Sequence, residues 1–201
     1  MLRRPLPLTA ATLAAMVMIS GCISFGEKPP PQLMGLTADA RVQPGATKTS
    51  RDSDAISVAV PATPGALRNQ RVAVLNGADF AYLPKAVWVD LPARLFRNVL
   101  AETIEARTNR FVPDSRNAAI TPDTRLGGSL AAFELLAGQR KVLVIYDATL
   151  ARAGSDVLQT RRFEATSPVA SEEPASVTAA LNRASNAIAG DVAAWVGNPA
   201  G

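Results

Sequence analysis

The sequence predicts an α+β domain: an antiparallel or mixed curved sheet with two amphipathic helices packed on one face. Three stretches carry that prediction. Arg140 to Ala151 alternates Val142, Val144, Tyr146, Ala148 and Leu150 with Leu143, Ile145, Asp147 and Thr149, the period-two pattern of a strand. Leu91, Leu95, Phe96, Val99, Leu100 and Ile104 recur at helical spacing, with Arg94, Arg97, Glu102, Glu105 and Arg107 mostly outside the stripe. Val177, Leu181, Ala184, Ile188, Val192 and Trp195 form a second helical stripe near the C-terminus, stopped by Gly197 and Pro199.

The remaining elements fit around these three. Gln32 to Leu36 reads as a short first strand, and Thr37 to Asp54, rich in Thr, Ser, Arg, Asp and Gly, as a loop. Ala55 to Val60, β-branched and closed by Pro61, reads as a strand. Arg71 to Leu75 is the next, turning at Asn76-Gly77 into a short strand Asp79 to Tyr82 that Pro84 is expected to stop. Asp90 is the expected N-cap of the first helix, with Pro92 in its first turn. Phe111 to Pro113 reads as a strand end. Leu126 to Leu136 is a strand expected to place Ser129, Ala131, Phe133 and Leu135 on one face, with Gly127-Gly128 as a bulge or strand start. Ala137-Gly138-Gln139 and Ala153 to Asp156 are tight turns, so three consecutive strands ending at Val157 to Ala165 form an antiparallel meander. Acidic Glu172 and Glu173 suit the start of the last helix.

The N-terminus has a different character. Arg3 and Arg4 precede an apolar run from Leu8 to Ile19, about a dozen residues and too short for the ~20 that a spanning helix needs. The run ends in Ile19-Ser20-Gly21-Cys22, a lipobox that holds the single cysteine of the chain. Ser20 and Gly21 are small enough for a peptidase to reach the backbone. The Cys22 thiol is the nucleophile that takes a diacylglyceryl group and becomes the new N-terminus. The expected organisation is a lipoprotein signal peptide at 1–21, a lipidated tether and Pro-rich polar linker at 22–54, and the folded domain at 55–197. Ile23, where an aspartate would retain the protein at the inner membrane, points to the periplasmic face of the outer membrane.

Charge and chemistry narrow the function. The formal charge of +4 falls when Arg3 and Arg4 leave with the signal peptide, and the remaining basic residues are dispersed. Nucleic acid is therefore not an expected partner. The chain has no histidine and one cysteine. His-dependent nucleophilic catalysis and His- or Cys-ligated zinc are excluded, and neither an enzyme activity, a cofactor nor a metal is expected. A Ser-Lys dyad is formally open through Lys28, Lys48, Lys85 and Lys141, but none stands in a recognisable setting.

Tyr82 followed by Ala86-Val87-Trp88-Val89-Asp90-Leu91-Pro92 resembles the signature stretch of the ABC-type transport auxiliary lipoprotein family. Ala132-Phe133-Glu134 is similar to that family's "x-F-E" strand, and the order of strands, hairpin and Ala-rich last helix agrees over about residues 30–197. The aromatic that relatives usually carry near Gln32 to Leu36 is missing here. The resemblance implies a non-enzymatic accessory lipoprotein, anchored in the membrane through Cys22. Its partners would be a periplasmic MCE-domain protein and an inner-membrane ABC permease and ATPase that move lipids or organic solutes between membranes. Self-assembly into a homo-oligomeric ring, which occurs among relatives, is an option it opens. The motif residues Tyr82, Trp88, Asp90, Pro92 and Phe133 are the candidate docking positions. The competing reading is a stand-alone lipoprotein that binds a small apolar ligand or scaffolds the envelope.

Overall fold

Strand β5, Thr124–Leu136, is the axis of the sheet. Its thirteen residues are hydrogen-bonded along one side to β6, Lys141–Arg152, which pairs in turn with β7, Gln159–Pro168, both antiparallel. Along its other side β5 is shared between two short parallel partners. β2, Ile56–Val58, covers Thr124 to Leu126, and β3, Arg71–Asn76, covers Glu134 to Leu136. β3 forms a hairpin with β4, Asp79–Trp88, and β1, Leu33–Met34, lies parallel to the end of β4. The result is an open, mixed seven-stranded sheet in the order β1-β4-β3-β5-β6-β7, with β2 beside β5. The computed structural model describes residues 32–49, 51–108, 110–113 and 121–197. All belong to one unit, Pro31–Gly201.

Two helices, α1 at Pro92–Arg107 and α2 at Pro174–Gly197, pack on one another and on one face of this sheet. Their apolar stripes are the predicted ones: Leu95, Phe96, Val99, Leu100 and Ile104 on α1, and Val177, Leu181, Ala184, Ile188 and Val192 on α2, are all buried. Ring pairs tie helices to sheet. Phe96 meets Tyr146 at 5.3 Å and Phe163 meets Trp195 at 5.7 Å between centroids, within the range where tilted aromatic pairs attract beyond simple burial. Neither helix is long and apolar enough to cross a membrane.

Four local expectations are corrected. Pro84 does not end β4. The β3–β4 register shifts between Arg71 and Ala73, and Lys85 takes φ +60°, so the proline lies in an irregularity that asks no ladder bond of it. The N-cap of α1 is Leu91 and not Asp90, with Pro92 inside the first turn. Asp90 instead accepts the Leu91 N–H at 2.7 Å and pairs with Arg94 at 3.9 Å. In β5 an extra residue between Leu130 and Ala132 breaks the simple alternation. Leu130, Phe133 and Leu135 therefore face the helices, whereas Ser129 and Ala131 do not join them. The return strand begins at Gln159, leaving Val157 and Leu158 exposed.

Among its described residues the segment between β1 and β2 has one short 3-10 turn, Asp52–Asp54, and no strand or α-helix, yet it is fastened down. The side-chain oxygens of Asn182 and Asn186 on α2 accept the Thr37 and Asp39 N–H groups, each at 2.8 Å, and Asn186 donates back to the Thr37 carbonyl. Lys48 donates to the Glu105 carbonyl near the end of α1.

Candidate docking face

Because side chains alternate along a strand, the sheet has a second face that neither helix covers. On β6 this face carries Lys141, Leu143, Ile145, Asp147, Thr149 and Ala151, all half-buried. Register extends it across the sheet. Leu143 stands opposite Glu134 and Thr166, Ile145 opposite Ala132 and Glu164, and Asp147 opposite Ser129 and Arg162. On the β3 side, Ala73 is level with Glu134 and with Tyr82, and Leu75 with Leu136 and Phe80.

The face has two unlike halves. Towards the Asp147 end it is polar, with Thr149, Thr160 and the Asp147–Arg162 pair around a shallow groove of about 330 Å³. That pair is bidentate, 2.6 and 2.9 Å, and the Arg162 hydrogen bond holds the Asp147 carboxyl below its ordinary range. The other half is apolar: Leu75, Leu136, Leu143 and Ile145 with Ala73 and Ala132, bordered by Phe80, which is 53% exposed.

In the middle of the apolar half sits Glu134, 4% exposed. Among the described residues it meets neither a hydrogen-bond donor nor a cation, and burial pushes its carboxyl above the usual range. Its neighbour Phe133 points the opposite way, into the core, where its ring lies 5.6 Å from that of Trp88.

The motif residues singled out in the sequence are mostly structural. Trp88, Phe133 and Pro92 are buried. Tyr82 is half-buried. Its hydroxyl accepts from Asn69 at 2.8 Å and donates to the Ala66 carbonyl at 3.2 Å, while the Arg71 guanidinium lies 4.4 Å over its ring. Tyr82 thus pins the loop between β2 and β3 to the edge of the open face. Cys22, with Ile19, Ser20 and Gly21, lies outside the described residues.

The model of the ABC-type transport auxiliary lipoprotein component matches residues 36–193, from just after β1 almost to the end of α2. The chain belongs to this family. Members are transport auxiliary components, lipoproteins of the envelope, and not an enzyme family. Among solved structures, the auxiliary domain is similar to protein XCC0632 from Xanthomonas campestris, with TM-score 0.67 and 19% identity over 82% of this chain and 94% of that one. It is also similar to an uncharacterized protein, with TM-score 0.62 and 14% identity over 75% of this chain and 96% of that one. At these identities the likeness shows the fold alone. No curated protein matches the chain.

Sequence reasoning named the Phe133-Glu134 dipeptide only as part of a motif and did not assign Glu134 a place. The signal was present in β6. Its first half is apolar on both faces, Val142 and Val144 on one and Leu143 and Ile145 on the other, which a strand does only when both sides are to be covered.

Proposed function

We propose that this auxiliary lipoprotein is a non-enzymatic docking component, held at the periplasmic face of the outer membrane by acyl chains on Cys22. It receives a periplasmic MCE-domain protein whose inner-membrane permease and ATPase move lipids or organic solutes between membranes. The observation that carries this reading is the apolar half of the open sheet face. Leu75, Leu143 and Ile145 keep partial exposure there and Phe80 is 53% exposed, so this half presents apolar surface of the kind that partners cover. A tether from Cys22 to the domain raises the effective concentration of the docking face towards partners near that membrane. The lack of histidine agrees with a role in positioning and not in chemistry on the cargo.

The test is association of the full-length, detergent-solubilised lipoprotein with a purified MCE-domain protein from the same organism. The expected result is a stable complex, together with a deletion phenotype in detergent or solvent sensitivity that matches deletion of the transporter. Absence of a complex, with a phenotype that adds to the transporter's, sinks this reading in favour of a stand-alone lipoprotein.

A further inference from the structure

We propose that the apolar half of the open face takes a lysine or arginine from an apolar segment of a partner protein, with the Glu134 carboxylate as its counter-charge. The proposal rests on the reading of this face as the contact and adds the chemistry of what docks there.

Three observations carry it. Glu134 is more than nine-tenths buried and unpartnered among the described residues, an arrangement that costs a fold stability. The same face shows how the fold pairs a carboxylate when it needs to. Asp147, also outward on β6, receives Arg162 from the adjacent position on β7. At Glu134 the cross-strand positions are Ala73 and Leu143, which offer no donor. Lys141, on the same face, stands opposite Leu136 and makes no ion pair with Glu134, which leaves the counter-charge to a cation from outside.

The surroundings define the rest of the occupant. Leu75, Leu136, Leu143 and Ile145 surround the carboxylate, whose oxygens keep a small accessible area, so a cation with apolar neighbours fits better than a fully solvated basic tail. Neither described cavity reaches this half. One is the polar groove at Asp147 and Arg162, and the other, about 520 Å³, lies between Arg107, Thr108 and Gly190 at the ends of the helices. An acyl chain laid on an open sheet would stay wet along its outer side, whereas a protein segment brings its own cover. That favours a protein over a lipid amine.

The test uses the full-length lipoprotein in its own envelope, with benzoylphenylalanine incorporated at position 143 and, separately, at position 145. Irradiation should give a cross-link that maps to a protein segment with a lysine or arginine among apolar residues. Glu134→Gln keeps the shape and should cut the yield about tenfold, the loss expected for a charge-assisted hydrogen bond. Glu134→Lys should abolish it, and exchanging the partner's base for glutamate should restore it. A cross-link to lipid, to a segment without a base, or to nothing overturns the proposal. So does a Glu134→Gln yield within about twofold of the parent. The identity of the cross-linked protein answers the separate question. An MCE-domain protein keeps the proposed function, while another protein that supplies the base removes that function and leaves this inference standing.

Discussion

The rings of Trp88 and Phe133 meet at 5.6 Å and 55°, although their strands, β4 and β5, are separated by β3. Both side chains are essentially inaccessible, so the signature tryptophan acts as a core plug under the sheet and not as an exposed anchor.

Trp88→Ala should therefore lower unfolding free energy by about 3–5 kcal/mol. Trp88→Phe should cost far less, about 1–2 kcal/mol, because it keeps a ring against Phe133. It also removes an indole N–H that is buried without a hydrogen-bond partner. Urea denaturation of the parent and both variants checks the order. Equal losses for Phe and Ala would mean that ring contact with Phe133 contributes nothing.

Gly128 and Gly127 give a sharper contrast. Gly128 has φ +131°, and a Cβ there would lie 1.9 Å from the Asp147 carbonyl oxygen across the ladder. Gly127 is adjacent in sequence, and a Cβ there meets nothing within 4 Å. Gly128→Ala should destabilise by about 2–4 kcal/mol, and Gly127→Ala by less than ~1 kcal/mol. Thermal midpoints of the two variants settle this. A Gly127→Ala loss as large as that of Gly128→Ala contradicts the close approach.

The sequence showed the helices and the meander because their signals are local. The α1 and α2 stripes and the β6 alternation each lie within one continuous run of residues. Pro84 misled because a proline is judged from sequence by the ladder bond it cannot make, and only the β3 register shows that none is asked there. The face assignment in β5 failed at Ser129 and Ala131 because one inserted residue inverts the alternation, and its position depends on β6. Glu134 was legible as a residue but not as a site. Its isolation comes from Ala73 and Leu143, which are 61 and 9 positions away and meet it only through strand pairing.

The proposed anchor makes a third prediction. Lipoprotein maturation attaches two or three acyl chains, and each buried CH₂ contributes about 0.8 kcal/mol, which makes a stable anchor where one chain does not. Cys22→Ala should leave the protein unprocessed or soluble in the periplasm, as fractionation and mature mass would show. A variant of mature size that stays in the membrane would remove the lipobox reading.

The last prediction concerns pH. Burial raises the Glu134 carboxyl above its ordinary value of 4.5, so the folded state binds this proton more tightly than the unfolded chain does. Stability then falls as pH rises from about the unfolded value through the folded one, and the loss is constant above both. The cross-strand residues Ala73 and Leu143 do not titrate, and on β3 the Arg71 guanidinium lies over the Tyr82 ring. Among the described residues, Lys141, Glu164, Arg125 and the Asp147–Arg162 pair also stand on this face. Asp147 acts with the opposite sign: Arg162 lowers its carboxyl, so its contribution is present above its unfolded value of 3.8 and lost as pH falls through the folded one. Both partners are substantially exposed, which makes that contribution small. Glu134→Gln should therefore raise the thermal midpoint at pH 7, with the gain shrinking towards zero as pH is lowered to about 4. Paired melting curves across this range decide it. A gap that is independent of pH, or a variant less stable than the parent at pH 7, would show that the Glu134 carboxylate already has a partner inside the protein.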